Sequence, residues 1–93
     1  MDIVKANIVK STAGRDKGEL FFVLATEGDF LLLADGKLRP VERPKRKRCK
    51  HVVLRRADGG ELSRRIRSNE SITNSELRKA IAAVRGGDQD QEG

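Results

Sequence analysis

Apolar and polar positions fall into short blocks punctuated by glycine, with strand-like blocks first and helical spacing later. Ala6 to Ser11 and Glu19 to Thr26 are rich in β-branched and aromatic residues and predict the first two strands. Leu20-Phe21-Phe22-Val23-Leu24 is apolar throughout, so the second strand is expected in the core, buried on both faces. Glu27-Gly28-Asp29 marks a turn, and Phe30-Leu31-Leu32-Leu33-Ala34 predicts a third strand. Asp35-Gly36 is a favoured two-residue hairpin turn, because both positions tolerate φ > 0. It predicts a fourth strand over Lys37 to Val41, antiparallel to the third, with Lys37, Arg39 and Val41 on one face. Pro40 and Pro44 lack the N–H a central strand must donate, so this segment is expected at a sheet edge or leaving the sheet. Lys50 to Arg55 predicts a fifth strand. Short strands joined by tight turns suit a small five-stranded barrel ending near Arg56.

The pattern then changes. Asp58-Gly59-Gly60-Glu61 has the spacing of a capping box, and Leu62 and Ile66 follow at helical spacing, which predicts a short helix from Gly60 to Arg67. Thr73-Asn74-Ser75-Glu76 is a second capping box. Leu77, Ile81 and Val84 recur at i, i+4 and i+7, giving a helix with one apolar stripe that Gly86-Gly87 is expected to end. So short a stripe is marginal alone and is expected to dock on the barrel. The division is a barrel over residues 1–57, a helical extension over 58–87 and a disordered acidic tail over 88–93.

Charge sharpens this picture. The chain carries a formal +6, but Lys37 to Lys50 holds eight basic residues and one acid, Glu42, so this segment carries +7 and the rest of the chain −1. A concentrated basic segment lying between strands points to a polyanionic partner. A second cationic feature is the loop Ala13-Gly14-Arg15-Asp16-Lys17-Gly18. Gly14 and Gly18 supply positive φ or close backbone approach, Asp16 can brace the turn, and Arg15 and Lys17 are held out on it. The plain alternative is an ordinary charged hairpin loop.

These residues resemble a known family. Val9 to Val23, bracketing that loop, is similar to the KOW motif. Asp35 to His51 resembles its continuation in bacterial KOW-domain RNA-binding proteins, relatives of the archaeal and eukaryotic large-subunit ribosomal proteins of the fourteen-e kind. Ile72 to Ile81 resembles the start of the C-terminal helix in the same group. The resemblance implies an SH3-like barrel and RNA binding on or near the ribosome. Two positions depart from it: Ala6-Asn7 stands where many KOW motifs have a glycine ahead of the first strand, and Glu19 where many have a basic residue.

Other chemistry is not favoured. The only cysteine, Cys49, has no partner for an internal disulfide, and with the single histidine, His51, it cannot assemble a structural zinc site. In a strand positions 49 and 51 would share a side, yet no third group orients such a pair, and no enzyme activity, metal or cofactor is expected. The glycine loop lacks the length and the Ser/Thr of a nucleotide-binding P-loop. Neither a run of about 18 apolar residues nor a secretory leader pattern is present, so a cytoplasmic, non-membrane protein is expected, acting as a monomer.

The leading expectation is a non-catalytic RNA-binding protein. The expected contacts are Arg15 and Lys17 in the loop, Lys37 and Arg39 on the hairpin, and Arg43, Lys45, Arg46, Lys47, Arg48 and Lys50 beyond it. Phe21, Phe22 and Phe30 are all expected in the core, leaving no base-stacking platform, so binding is expected to be directed at backbone and shape. The target implied by the resemblance is ribosomal RNA. The alternative is an SH3-like protein-interaction module serving the ribosome or transcription machinery, with the helix stripe or an open sheet edge as the contact. Basic charge alone also permits non-specific DNA binding.

Overall fold

The apolar blocks become strands where both flanking turns can close. A computed structural model describes residues 2–92, and the side chains of residues 2–86. It contains β1 (Ile8–Ser11), β2 (Leu20–Glu27), β3 (Phe30–Ala34), β4 (Lys45–Arg48), a single 3₁₀ turn (Cys49–His51), β5 (Val52–Arg56), α1 (Glu61–Arg67) and α2 (Asn74–Glu92). The strands form one sheet in the order β4-β3-β2-β1-β5, every neighbour antiparallel. The protein is therefore mainly β with a C-terminal helical part. Register shifts between Ile8 and Val9 and between Val23 and Ala25 mark bulges, which bend strands and increase twist. The sheet is barrel-like, but among the described residues no ladder joins β4 to β5, so the expected closed barrel is not formed.

Strand β2 is central, as its continuous apolar run predicts. Leu20 and Phe22 enter one core cluster with Ile8 and Ala34, while Phe21 and Val23 enter a second with Val9, Leu31, Leu33 and Val52. The first cluster is covered by helices. Leu62 and Ile66 of α1 and Leu77, Ile81 and Val84 of α2 complete it, so the apolar stripe docks on the sheet as expected. The capping box at α2 is formed in both directions: Glu76 N–H donates to Thr73 Oγ1 at 3.1 Å, and Thr73 N–H to Glu76 Oε1 at 2.9 Å. Glu76 also accepts from Arg65 of α1 at 2.6 Å, tying the helices together. The box expected at α1 is absent; Gly60 caps that helix through its backbone alone, and Asp58 Oδ1 accepts from Gly60 N–H instead.

Three boundaries differ from the sequence pattern. Lys37 to Val41 is not a strand. Asp35 is buried and its Oδ1 accepts from Lys37 N–H at 2.9 Å and Arg39 N–H at 2.8 Å, so the carboxylate folds the chain into a loop that outcompetes the two-residue hairpin. The strand pairing with β3 comes later, after the second proline, as Lys45–Arg48. Cys49 to His51 is 3₁₀ rather than strand, so β5 starts at Val52. Helix α2 continues through Gly86-Gly87 to Glu92, because glycine weakens a helix without forbidding its dihedral angles. The disordered tail expected over 88–93 overlaps the last residues of this helix; Gly93 and the side chains beyond Gly86 lie outside the described residues.

Helix α2 also fixes the loop between β3 and β4. Asn74 Oδ1 accepts from Val41 N–H at 2.8 Å, Asn74 Nδ2 donates to Glu42 Oε1 at 3.0 Å, and Arg78 donates to the Gly36 carbonyl at 2.7 Å. At Gly36, a Cβ would stand 2.1 Å from the Asn74 carbonyl oxygen, so only glycine permits this approach. The loop that carries Lys37, Arg39 and Arg43 is thus anchored from beneath, with those side chains exposed.

Candidate nucleic-acid interface

The β1–β2 loop is built on its glycines. Gly14 and Gly18 have φ of 84° and 91°, as their placement predicts. Gly18 N–H donates to Ser11 O at 2.8 Å, closing the loop at its base. Arg15 and Lys17 are exposed at its tip, whereas Asp16 between them turns inward and is buried.

Asp16 does more than brace its own turn. Its Oδ1 accepts from Ser11 Oγ at 2.7 Å and from Lys47 Nζ at 2.9 Å, and its Oδ2 lies 2.9 Å from Lys45 Nζ. Lys47 Nζ also donates to the Ala13 carbonyl at 2.8 Å. Burial opposes ionisation of Asp16, but hydrogen bonds from Lys45, Ser11 and Lys47, with the Lys47 charge, outweigh it and hold the carboxyl well below the usual carboxylate range. Lys47, expected to be a solvated RNA contact, is instead buried, its ammonium committed to Asp16 and Ala13. Lys45 is partly so committed. The cause is strand alternation. Lys45 and Lys47 lie on one face of β4, opposite Leu33 and Leu31 at the rim of the second core cluster, and their chains run to the inward carboxylate.

The other face of β4 carries Arg46 and Arg48, both exposed. Their guanidinium carbons sit 3.7 and 4.7 Å from the Phe30 ring centroid, and Arg46 Nε donates to Glu27 Oε1 at 3.2 Å. Phe21 and Phe22 are buried core residues as expected, but Phe30 belongs to neither cluster. Sequence reasoning missed it because its partner, Arg48, is set by the β3–β4 register, and the fourth strand was expected several residues earlier.

The basic segment is therefore divided among separate places. Arg39 and Lys45 meet Arg15 around a cavity of about 230 Å³ that Asp16, Phe21 and the exposed Leu38 also line. Lys37 borders a different cavity, of about 200 Å³, with Arg78 and Arg85 of α2, two cations not among those the sequence singled out. Arg48 and Lys50 line a third, of about 360 Å³, with Asp29 and Cys49. Arg43 is exposed in the turn after Pro40. Cys49 packs against the second core cluster, and the His51 carbonyl accepts from Thr12 N–H. As both belong to the 3₁₀ turn, the strand geometry expected to align them is absent. Among the described residues, no helix is long and apolar enough to cross a membrane.

No protein-family model matches the chain, and no curated protein matches it.

Proposed function

We propose that this chain is a non-catalytic RNA-binding protein of the cytoplasm, with an SH3-like fold of the KOW type, that grips the phosphates of structured RNA. The observation that carries the reading is the meeting of Arg15 from the β1–β2 loop with Arg39 and Lys45 from the basic segment around one cavity. Two cationic features far apart in the chain thereby serve one surface. The loops that bear them are held from within, by Asp16 and Asp35, so their exposed cations are presented without a large ordering cost. Phosphate contacts of this kind position a protein on RNA and carry little base information, which suits recognition of a folded RNA such as ribosomal RNA. The apolar stripe of α2 is buried in the core, so a protein-interaction role would have to use a sheet edge instead.

The test compares affinity for folded RNA, single-stranded RNA and duplex DNA at two salt concentrations, together with co-sedimentation with ribosomal subunits from extract. Tighter, salt-sensitive binding to folded RNA is the expected result. Equal binding to duplex DNA would reduce the reading to a general polyanion binder, and no binding to any of the three would remove it.

A further inference from the structure

The sequence Lys45-Arg46-Lys47-Arg48 is sorted by face. The lysines, compact point charges, turn to a buried carboxylate; the arginines, planar and weakly hydrated, turn outward over an aromatic ring. The register explains the ring contacts. Phe30 is directly opposite Arg48, and Arg46, opposite Leu32, is its diagonal neighbour on the same face. A separation of 3.7 Å to the centroid puts the Arg46 guanidinium in face contact with the ring, and Glu27 holds its Nε from the side. The Arg46 side chain is nevertheless 56% exposed. The ring therefore fixes a planar cation whose outer surface is open to solvent. The neighbouring cavity of about 360 Å³ is lined by Arg48 and Lys50, with Asp29 and Cys49.

We propose that Phe30, Arg46 and Arg48 form a stacking site for an unpaired nucleobase of RNA, with Lys50 placed for the adjoining phosphate. This rests on the RNA-binding reading above and adds to it a preference for RNA with a bulged or looped nucleotide beside a helix. Guanidinium planes and aromatic rings accept unpaired bases by stacking, and every base offers a π face, so the site is tolerant of base identity. A lysine in place of either arginine keeps the charge and loses the plane.

The experiment measures the full chain binding two RNAs: a blunt duplex and the same duplex with one bulged 2-aminopurine. The expected result is tighter binding of the bulged RNA by roughly fivefold or more, with a change in 2-aminopurine fluorescence on binding. In Phe30→Leu, and in Arg46→Lys combined with Arg48→Lys, the ratio of the two affinities falls towards one. Neither variant removes a positive charge, so each retains the salt slope. The double lysine variant leaves Phe30 in place and keeps the test valid should Phe30→Leu fold poorly. A bulge preference that survives in the double variant, or a wild-type protein with equal affinity for both RNAs, overturns the stacking site while leaving phosphate binding intact. Failure of the wild type to bind either RNA overturns both proposals.

Discussion

Lys47 and Asp16 are 31 residues apart in the chain and 2.9 Å apart in space, and both are buried. Their contact joins the tip region of the β1–β2 loop to the edge strand β4, two segments with no backbone ladder between them. A cation counted on composition as available to a ligand is instead part of the frame that displays Arg15 and Lys17.

Removing one partner of a buried ion pair strands the other charge. Asp16→Ala is expected to destabilise the fold by about 3 kcal/mol, since Lys47 keeps only the Ala13 carbonyl. Combining Asp16→Asn with Lys47→Met should cost clearly less than either change alone, because no buried charge is then stranded, Lys45, the other partner of Asp16, being partly exposed. Denaturant titration of the three variants measures this coupling. Additive effects would show that the two side chains act independently.

The same pair gives stability a pH dependence whose sign is fixed. In the unfolded chain Asp16 titrates near 3.9, while in the fold its carboxyl is held well below the usual range. Between those two values the unfolded state binds more protons, so the contribution is full at neutral pH and is lost as pH falls below about 5. The Tm difference between wild type and Asp16→Asn should therefore shrink from pH 6 to pH 2. Glu76, held down to about 2 by Arg65 and the Thr73 N–H, titrates alike in both proteins and cancels from the comparison. A constant Tm difference across this range would mean that Asp16 is not ionised by virtue of the pair.

Docking of α2 makes Leu77 part of the core, with no exposed surface. Leu77→Ala is expected to cost about 3 kcal/mol, the usual range for a fully buried leucine. Leu38→Ala, at a side chain that is 55% exposed, should stay within about 0.5 kcal/mol of wild type. Chemical denaturation distinguishes the two, and a small loss at Leu77 would indicate that α2 is dispensable.

Ala6, a residue other than glycine, occupies a left-handed conformation, with φ of 77°. Such a conformation costs an L-residue roughly 1–2 kcal/mol. Its methyl group is fully buried, worth about 0.8 kcal/mol, and glycine adds roughly 0.5–1 kcal/mol of unfolded-state entropy. These terms nearly cancel, so Ala6→Gly should lie within about 0.5 kcal/mol of wild type. Ala34→Gly, also fully buried but in β3, should lose about 1–2 kcal/mol. Equal losses at both positions would mean that position 6 is unstrained.

The parts of the fold legible in the sequence are those set by local pattern. The first three strands, both helix starts, the stripe of Leu77, Ile81 and Val84, and the positive φ of Gly14 and Gly18 follow from periodicity and turn chemistry. What was not legible depends on side chains meeting across the chain. Asp35 had two outlets, a hairpin turn or a carboxylate-bonded loop, and the choice rests on Asn74 and Arg78, more than 30 residues further along the chain, holding that loop. That choice displaced the fourth strand and changed which residue faces Phe30. The burial of Lys47 followed from the same register, so the basic segment read as one solvated patch although alternate residues serve different faces.

The phosphate-gripping surface is tested most directly by the salt dependence of RNA affinity in a variant chosen for exposure. Lys37, Arg39, Arg43 and Arg15 are exposed and lie outside the Asp16 network and the Phe30 cluster. If about four cations contact phosphate, log affinity of the wild type falls with log salt with a slope of magnitude roughly 3–4. Changing these four residues to glutamine should lower both slope and affinity, with similar losses for unrelated folded RNAs and little change in Tm. An affinity and a salt slope equal to those of the wild type would contradict the assignment of this surface to RNA.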